Sequence, residues 1–203
     1  ARLAAEGWRG ADVTTLLGAS GGPKWLILGH LDRVLFGSFL LDNRADPLRA
    51  IGSSIGSWRH ACLAQSAPAD ALQRFEDVYV HFEYSASPDA DEVSAASAAI
   101  LDQLVGESGA RAIVDNPQVH SYIVTARGRG LNSSRSRARL GLGMGCAAMS
   151  NALARPLLAS QFQRVLFTSR GAPALPFTDF ATQHVPLSPS SLPLALHASG
   201  AIP

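Results

Sequence analysis

A serine held between two glycines, Gly52-Ser53-Ser54-Ile55-Gly56, is the stretch of this chain best suited to chemistry. The hydroxyl at the centre of G-x-S-x-G attacks acyl carbon when a strand ends just before it and a helix starts just after it. The turn lifts the hydroxyl above the sheet, and the glycines let strand and helix pack close. In a chain with 18 glycines the pentapeptide alone is a weak signal, so its context decides. A second stretch, Gly18-Ala19-Ser20-Gly21-Gly22-Pro23-Lys24, is a run of small residues whose backbone N–H groups can converge on an anion. Acyl transfer needs both parts: a nucleophile, and N–H donors about 2.7–3.1 Å from the developing oxyanion.

The surrounding elements predict that the two stretches meet. Val13 to Leu17 reads as a strand ending at the small-residue loop. Pro23 suits the first position of a helix. Leu28, Leu31, Leu35 and Phe39 then fall on one face of a helix reaching about Leu41. Leu48 to Ile51 reads as a second strand, and Ser57 to Gln65 as the helix after the turn. This order is a βαβ unit, which places both loops at the carboxyl edge of parallel strands, where α/β proteins bind ligands. Beyond it, the pattern predicts helices over 69–84, 89–105, 140–163 and 192–199, strands over 119–125 and 165–168, and a proline-rich loop over 171–191. The expected class is α/β with a mostly parallel central sheet.

Three stretches together resemble the patatin-like phospholipase family. They are the glycine loop with its basic residue, Gly18 to Lys24, the G-x-S-x-G at Gly52 to Gly56, and His197-Ala198-Ser199-Gly200-Ala201-Ile202-Pro203, which is similar to the family's small-residue helix ending in proline. The resemblance implies a three-layer patatin-like α/β fold in one domain over 1–203. It implies a lipid acyl hydrolase of the phospholipase A or esterase type, acting in lipid degradation on a phospholipid or other lipid ester. A Ser–Asp dyad does the work, with no histidine, metal or cofactor. On this reading Ser54 is the nucleophile. The N–H groups of Gly21 and Gly22 form the oxyanion hole, the Ile55 N–H assists, and Lys24 fills the motif's basic position with a structural or electrostatic role.

Two departures stand beside the resemblance. Ser20 and Trp25 occupy positions where the family favours glycine, which stiffens the loop. The family's catalytic Asp lies in an Asp-Gly-Gly or Asp-Gly-Ala motif, and no Asp-Gly pair occurs in this chain. The Asp is therefore expected beyond Pro203, making the domain incomplete at its C-terminus. The alternative reading is a non-catalytic lipid-binding or scaffold protein that keeps the fold. Asp179, between Phe177 and Phe180, reads as a loop acid rather than a substitute base. His60 is six residues past Ser54, about two helical turns on, so its ring is expected to point away from the reacting centre. A phosphate-binding P-loop is excluded, because Pro23 and Trp25 flank Lys24 where Gly and Ser or Thr are needed.

Composition bounds the rest. The 203 residues are 47% hydrophobic and 16% charged, with a net charge of +1, so the chain is neither disordered nor broadly basic like a nucleic-acid binder. Arg127 to Arg139 holds five arginines and no acid, without interleaved aromatics, which argues against RNA. It reads first as a solvated flexible loop, and second, beside the apolar stretch from Leu140 to Leu158, as a peripheral contact with an anionic membrane. No leader-like core and no uninterrupted apolar run of spanning length is visible, so the expected location is cytoplasmic or peripheral to a membrane. Cys62 and Cys146 make no disulfide framework, and metal-ligand spacing is absent.

Overall fold

The computed structural model describes residues 7–177, 179 and 181–201. Ala1 to Glu6, Phe180 and the closing Ile202-Pro203 of the small-residue stretch lie outside the described residues. The architecture is α/β, a five-stranded, mostly parallel central sheet flanked by helices, as a three-layer α/β arrangement requires. The strands are β1 (Thr15–Gly18), β2 (Leu48–Ser53), β3 (Val119–Gly128), β4 (Phe162–Thr168) and β5 (Thr182–Pro186), side by side in that order. The β1–β2, β2–β3 and β4–β5 pairs are parallel, and β3–β4 is antiparallel.

The βαβ unit read from the glycine pattern is present. Gly18 pairs with Gly52 at the carboxyl ends of β1 and β2. Between these strands the chain winds through a 3₁₀ segment (Gly22–Leu28), helix α1 (Gly29–Val34) and a π segment (Leu35–Phe39). The expected inner face is only partly the buried one: Leu35 and Phe39 pack against the core. Trp25, Gly29, Asp32, Phe36 and Leu40 face the core, while Leu28 and Leu31 are exposed. The 3₁₀ turns hold three residues each and the π turn more than an α turn, so the phase drifts from a uniform 3.6-residue period. Asp32 is drawn inside because Arg59 neutralises it there, through bonds of 2.7 and 2.5 Å to its two carboxylate oxygens.

Helix α2 (Ile55–Leu63) starts directly at the turn and packs its buried residues on β1, β2 and β3. Helix α3 (Pro68–Val80) has Pro68 at its start and Asp70 in its first turn, which complements the helix dipole. It buries Ala71, Leu72 and Phe75, and Phe75 stacks on Trp25 at 4.5 Å between ring centroids. Helix α4 (Ala90–Val114) is capped by the Asp89 carboxylate, which accepts the Glu92 N–H at 2.8 Å. Its helical backbone breaks at Gly106, φ +53° and ψ −177°, directly after the expected end at Val105, and a second helical stretch continues to Val114. The segment expected to be helical over 140–163 divides at Pro156. Helix α5 (Arg137–Leu153) gives way to a 3₁₀ segment (Arg155–Ser160) and then to β4. The proline-rich loop contains β5, an edge strand too short and polar to show an alternating pattern. Helix α6 (Leu192–Gly200) closes over α4 and β3.

The Arg59–Asp32 pair joins α2 to α1 with both side chains largely withdrawn from water. Removing one partner strands a buried charge, at a cost of about 3–5 kcal/mol. Asp32→Ala should lower the urea unfolding free energy by that amount. A loss below about 1 kcal/mol, the range of exposed pairs, would contradict the assignment.

Candidate active site

The two loops arrive at one rim of the sheet because β1 and β2 are parallel and in register there. Their approach is close. A Cβ built on Gly56 would lie 2.3 Å from the carbonyl carbon and oxygen of Gly18, and one on Gly52 would lie 2.5 Å from the Ser57 Cα. Both outer glycines of the pentapeptide are thus demanded by backbone-to-backbone contact. Between them Ser54 takes φ +53° and ψ −133°, a conformation that L residues rarely adopt. This is the strained strand-to-helix turn that G-x-S-x-G predicts.

Side chains hold the turn in place. The Ser54 N–H donates to Ser199 Oγ at 2.8 Å, and Ser199 Oγ donates to the Val124 carbonyl at 2.7 Å. Ser57 Oγ donates to the Ser54 carbonyl at 2.6 Å. Trp58 Nε1 donates to the Leu196 carbonyl at 3.0 Å, which fixes α6 against α2. The loop after β1 is tied to the turn by Ser20 Oγ donating to Ser53 Oγ at 3.3 Å. Ser199, Ser57 and Trp58 were not singled out by sequence reasoning. Ser199 lies within the small-residue stretch, but nothing in its type or spacing reveals a partner 145 residues away.

Ser54 is half-buried and borders a cleft of about 670 Å³. Ser20, Gly21, Gly22, Pro23 and Ile55 share its rim. Trp58, Tyr79, Phe82, Val93 and Ile100 form an apolar wall. The structure therefore brings Ser54, Gly21, Gly22 and Ile55 to one cavity. Lys24 is exposed and stands outside the cleft lining. Gly22 takes φ +53°, which a side chain would strain, and the space beside Gly21 and Gly22 is open. Among the described residues, the N–H groups of Gly21, Gly22 and Ile55 meet no protein acceptor. Unpaired donors on residues that line the same cleft as a serine can stabilise negative charge on an oxygen bound there.

A base is the missing part. Among the described residues no side chain hydrogen-bonds to the Ser54 hydroxyl, and no Asp, Glu or His lines the cleft. Asp179 lies elsewhere, accepting two bonds from Arg164 at 2.9 and 3.0 Å, and those bonds hold its carboxyl below the ordinary range. His60 does face away from the cleft. It lies inside, near Ser57, Ser121 and Tyr122, with Nδ1 unpartnered. Burial, reinforced by the Arg59 charge, lowers its pKa to about 3. Among the described residues, no group of three or more His, Cys, Asp or Glu could hold a metal ion. No helix among them is long and apolar enough to cross a membrane.

Comparison with protein-family models, with curated proteins and with solved structures finds no match to this chain.

Two outcomes follow from this geometry. Ser199→Ala leaves the Ser54 N–H without its acceptor and should lower the unfolding free energy by about 1–3 kcal/mol; a change under about 0.5 kcal/mol would contradict the pinning. For His60, the folded pKa lies below its unfolded value of about 6.5. The unfolded chain then binds more protons, so stability is full above pH 6.5 and falls as pH drops toward about 3. Urea unfolding between pH 7 and pH 4 should show this loss, and His60→Leu should flatten the slope by about 1 kcal/mol per pH unit. An unchanged slope would show that another group is responsible.

Proposed function

We propose that this chain is a serine lipid acyl hydrolase of the patatin-like kind. The observation that carries the reading is Ser54 on a strained turn, lining one apolar cleft with Gly21, Gly22 and Ile55, whose N–H groups meet no acceptor among the described residues. Ser54 Oγ attacks the carbonyl carbon of a lipid ester. The new C–O bond pushes an electron pair onto the carbonyl oxygen, where the N–H groups of Gly21, Gly22 and Ile55 receive the charge. Collapse expels the alcohol and leaves an acyl-enzyme, which water then cleaves. The wall of Trp58, Tyr79, Phe82, Val93 and Ile100 suits an acyl chain. Lys24, outside the lining, acts through charge at a distance or through the loop.

The Ser54 proton must pass to a base, and the described residues place none at the hydroxyl. The proposal therefore includes an Asp from outside the described cleft lining. That same observation favours a second reading, a non-catalytic lipid-binding or scaffold protein of the same fold. The two separate on reactivity. A fluorophosphonate probe should label the protein covalently, and Ser54→Ala should abolish labelling. Labelling that survives in Ser54→Ala contradicts the hydrolase. Saturable fatty-acid binding with no labelling at any pH favours the second reading.

A further inference from the structure

The net charge of +1 hides a division along the chain. Residues 1–115 carry 15 acids and nine bases, whereas residues 116–203 carry eight arginines and one acid, Asp179. Arg135, Arg137 and Arg139 are exposed and, among the described residues, form no ion pair. They cluster at the start of α5, which has no acid in its first turn and no side-chain cap. Cations at the positive end of a helix are unfavourable within the chain itself.

The same helix carries an unused apolar face. Of α5, only Gly143 and Ala147 are buried. Leu142, Met149 and Leu153 are 63%, 69% and 78% exposed, and Cys146 is exposed between them. At 3.6 residues per turn, positions 142, 146, 149 and 153 fall within roughly 60° around the axis, with Arg139 at the margin of the stripe. Leu157, in the following 3₁₀ segment, is exposed as well. The position of this helix in the fold matters. Because β2 and β3 are parallel, with Ser53 beside Val124, the end of β3 at Gly128 lies on the same rim as Ser54. Helix α5 and its flanking 3₁₀ segments connect β3 to the antiparallel β4 at that rim.

From the charge complementarity and the adjoining apolar stripe, we infer that α5 docks this protein onto an anionic lipid surface, with Arg135 and Arg139 meeting lipid phosphates, Arg137 adding to the local positive charge, and Leu142, Met149 and Leu153 entering the interface. An arginine cluster gains from anionic headgroups while an adjoining exposed aliphatic stripe gains from leaving water, and a lipid surface offers both. A nucleic acid would use the arginines and leave the aliphatic stripe in water. A second copy packed in parallel would set arginine against arginine. Docking is independent of ester cleavage and holds for either reading of the cleft.

The test uses the whole chain carrying Ser54→Ala, so that turnover cannot affect it. Flotation with phosphatidylcholine vesicles containing about 30% phosphatidylserine should show binding at least about tenfold tighter than with phosphatidylcholine alone, weakening as salt rises. The triple variant Arg135→Glu, Arg137→Glu, Arg139→Glu and the double variant Leu142→Ser, Met149→Ser should each weaken it about tenfold or more. All five side chains are exposed, so circular dichroism should be unchanged. A polarity-sensitive dye on Cys146 should shift to the blue on docking, with Cys62 too deeply buried to compete. Equal binding to neutral vesicles, or unaltered binding of either variant, overturns the inference. So does a solution dimer abolished by the double variant with no vesicle binding, which would assign the stripe to a second copy.

Discussion

The first turn of α2 rests directly on the backbone of β1, with no side chain between Gly56 and Gly18, and the rest of the rim follows from that contact. A methyl group on Gly56 would overlap the Gly18 carbonyl, so the helix can sit this close only as glycine. To enter the helix from β2 in so little space, the chain reverses at Ser54 with a positive φ. The contact also brings the loop after β1 beside the turn, which gathers Gly21, Gly22 and Ser54 at one cleft. Helix α6 is then drawn in to support the turn, through Ser199 below it and Trp58 beside it.

Charge is kept out of this arrangement. The cleft wall is aromatic and aliphatic, and His60 is buried in another cavity and held neutral. The buried Arg59–Asp32 pair balances itself within the helical layer. The field at Ser54 therefore comes chiefly from backbone dipoles: unpaired N–H groups and the start of α2. Such a site can hold an oxyanion but cannot by itself take a proton. Arg135, Arg137 and Arg139, without ion-pair partners among the described residues, collect instead at the start of α5, at the same edge of the sheet.

Legibility in the sequence followed the physics of each element. Gly18, Gly52 and Gly56 were readable because close backbone approach leaves one residue type available, and they carried the βαβ unit, the parallel pairing and the placing of Ser54 with Gly21 and Gly22. Helix α3 was readable from the spacing of Leu72 and Phe75. The inner face of the first helical run was readable only in part, because the 3₁₀ and π turns shift its phase and because Asp32 goes inside with a partner 27 residues away. β5 was hidden because an edge strand needs neither alternation nor many apolar residues. The break at Gly106 was readable as the helix end expected at Val105, whereas Ser199 looked like any small residue, since its role exists only in three dimensions.

The central claim is that packing forces Ser54 into a left-handed turn, and glycine is the one residue that adopts it freely. At an ordinary position, glycine is less stable than alanine by about 0.5–1 kcal/mol. Urea unfolding of Ser54→Gly against Ser54→Ala tests the claim most directly. The account predicts the reverse order, with the glycine protein more stable by about 1 kcal/mol or more as the strain is released. A glycine protein less stable than the alanine one would contradict it.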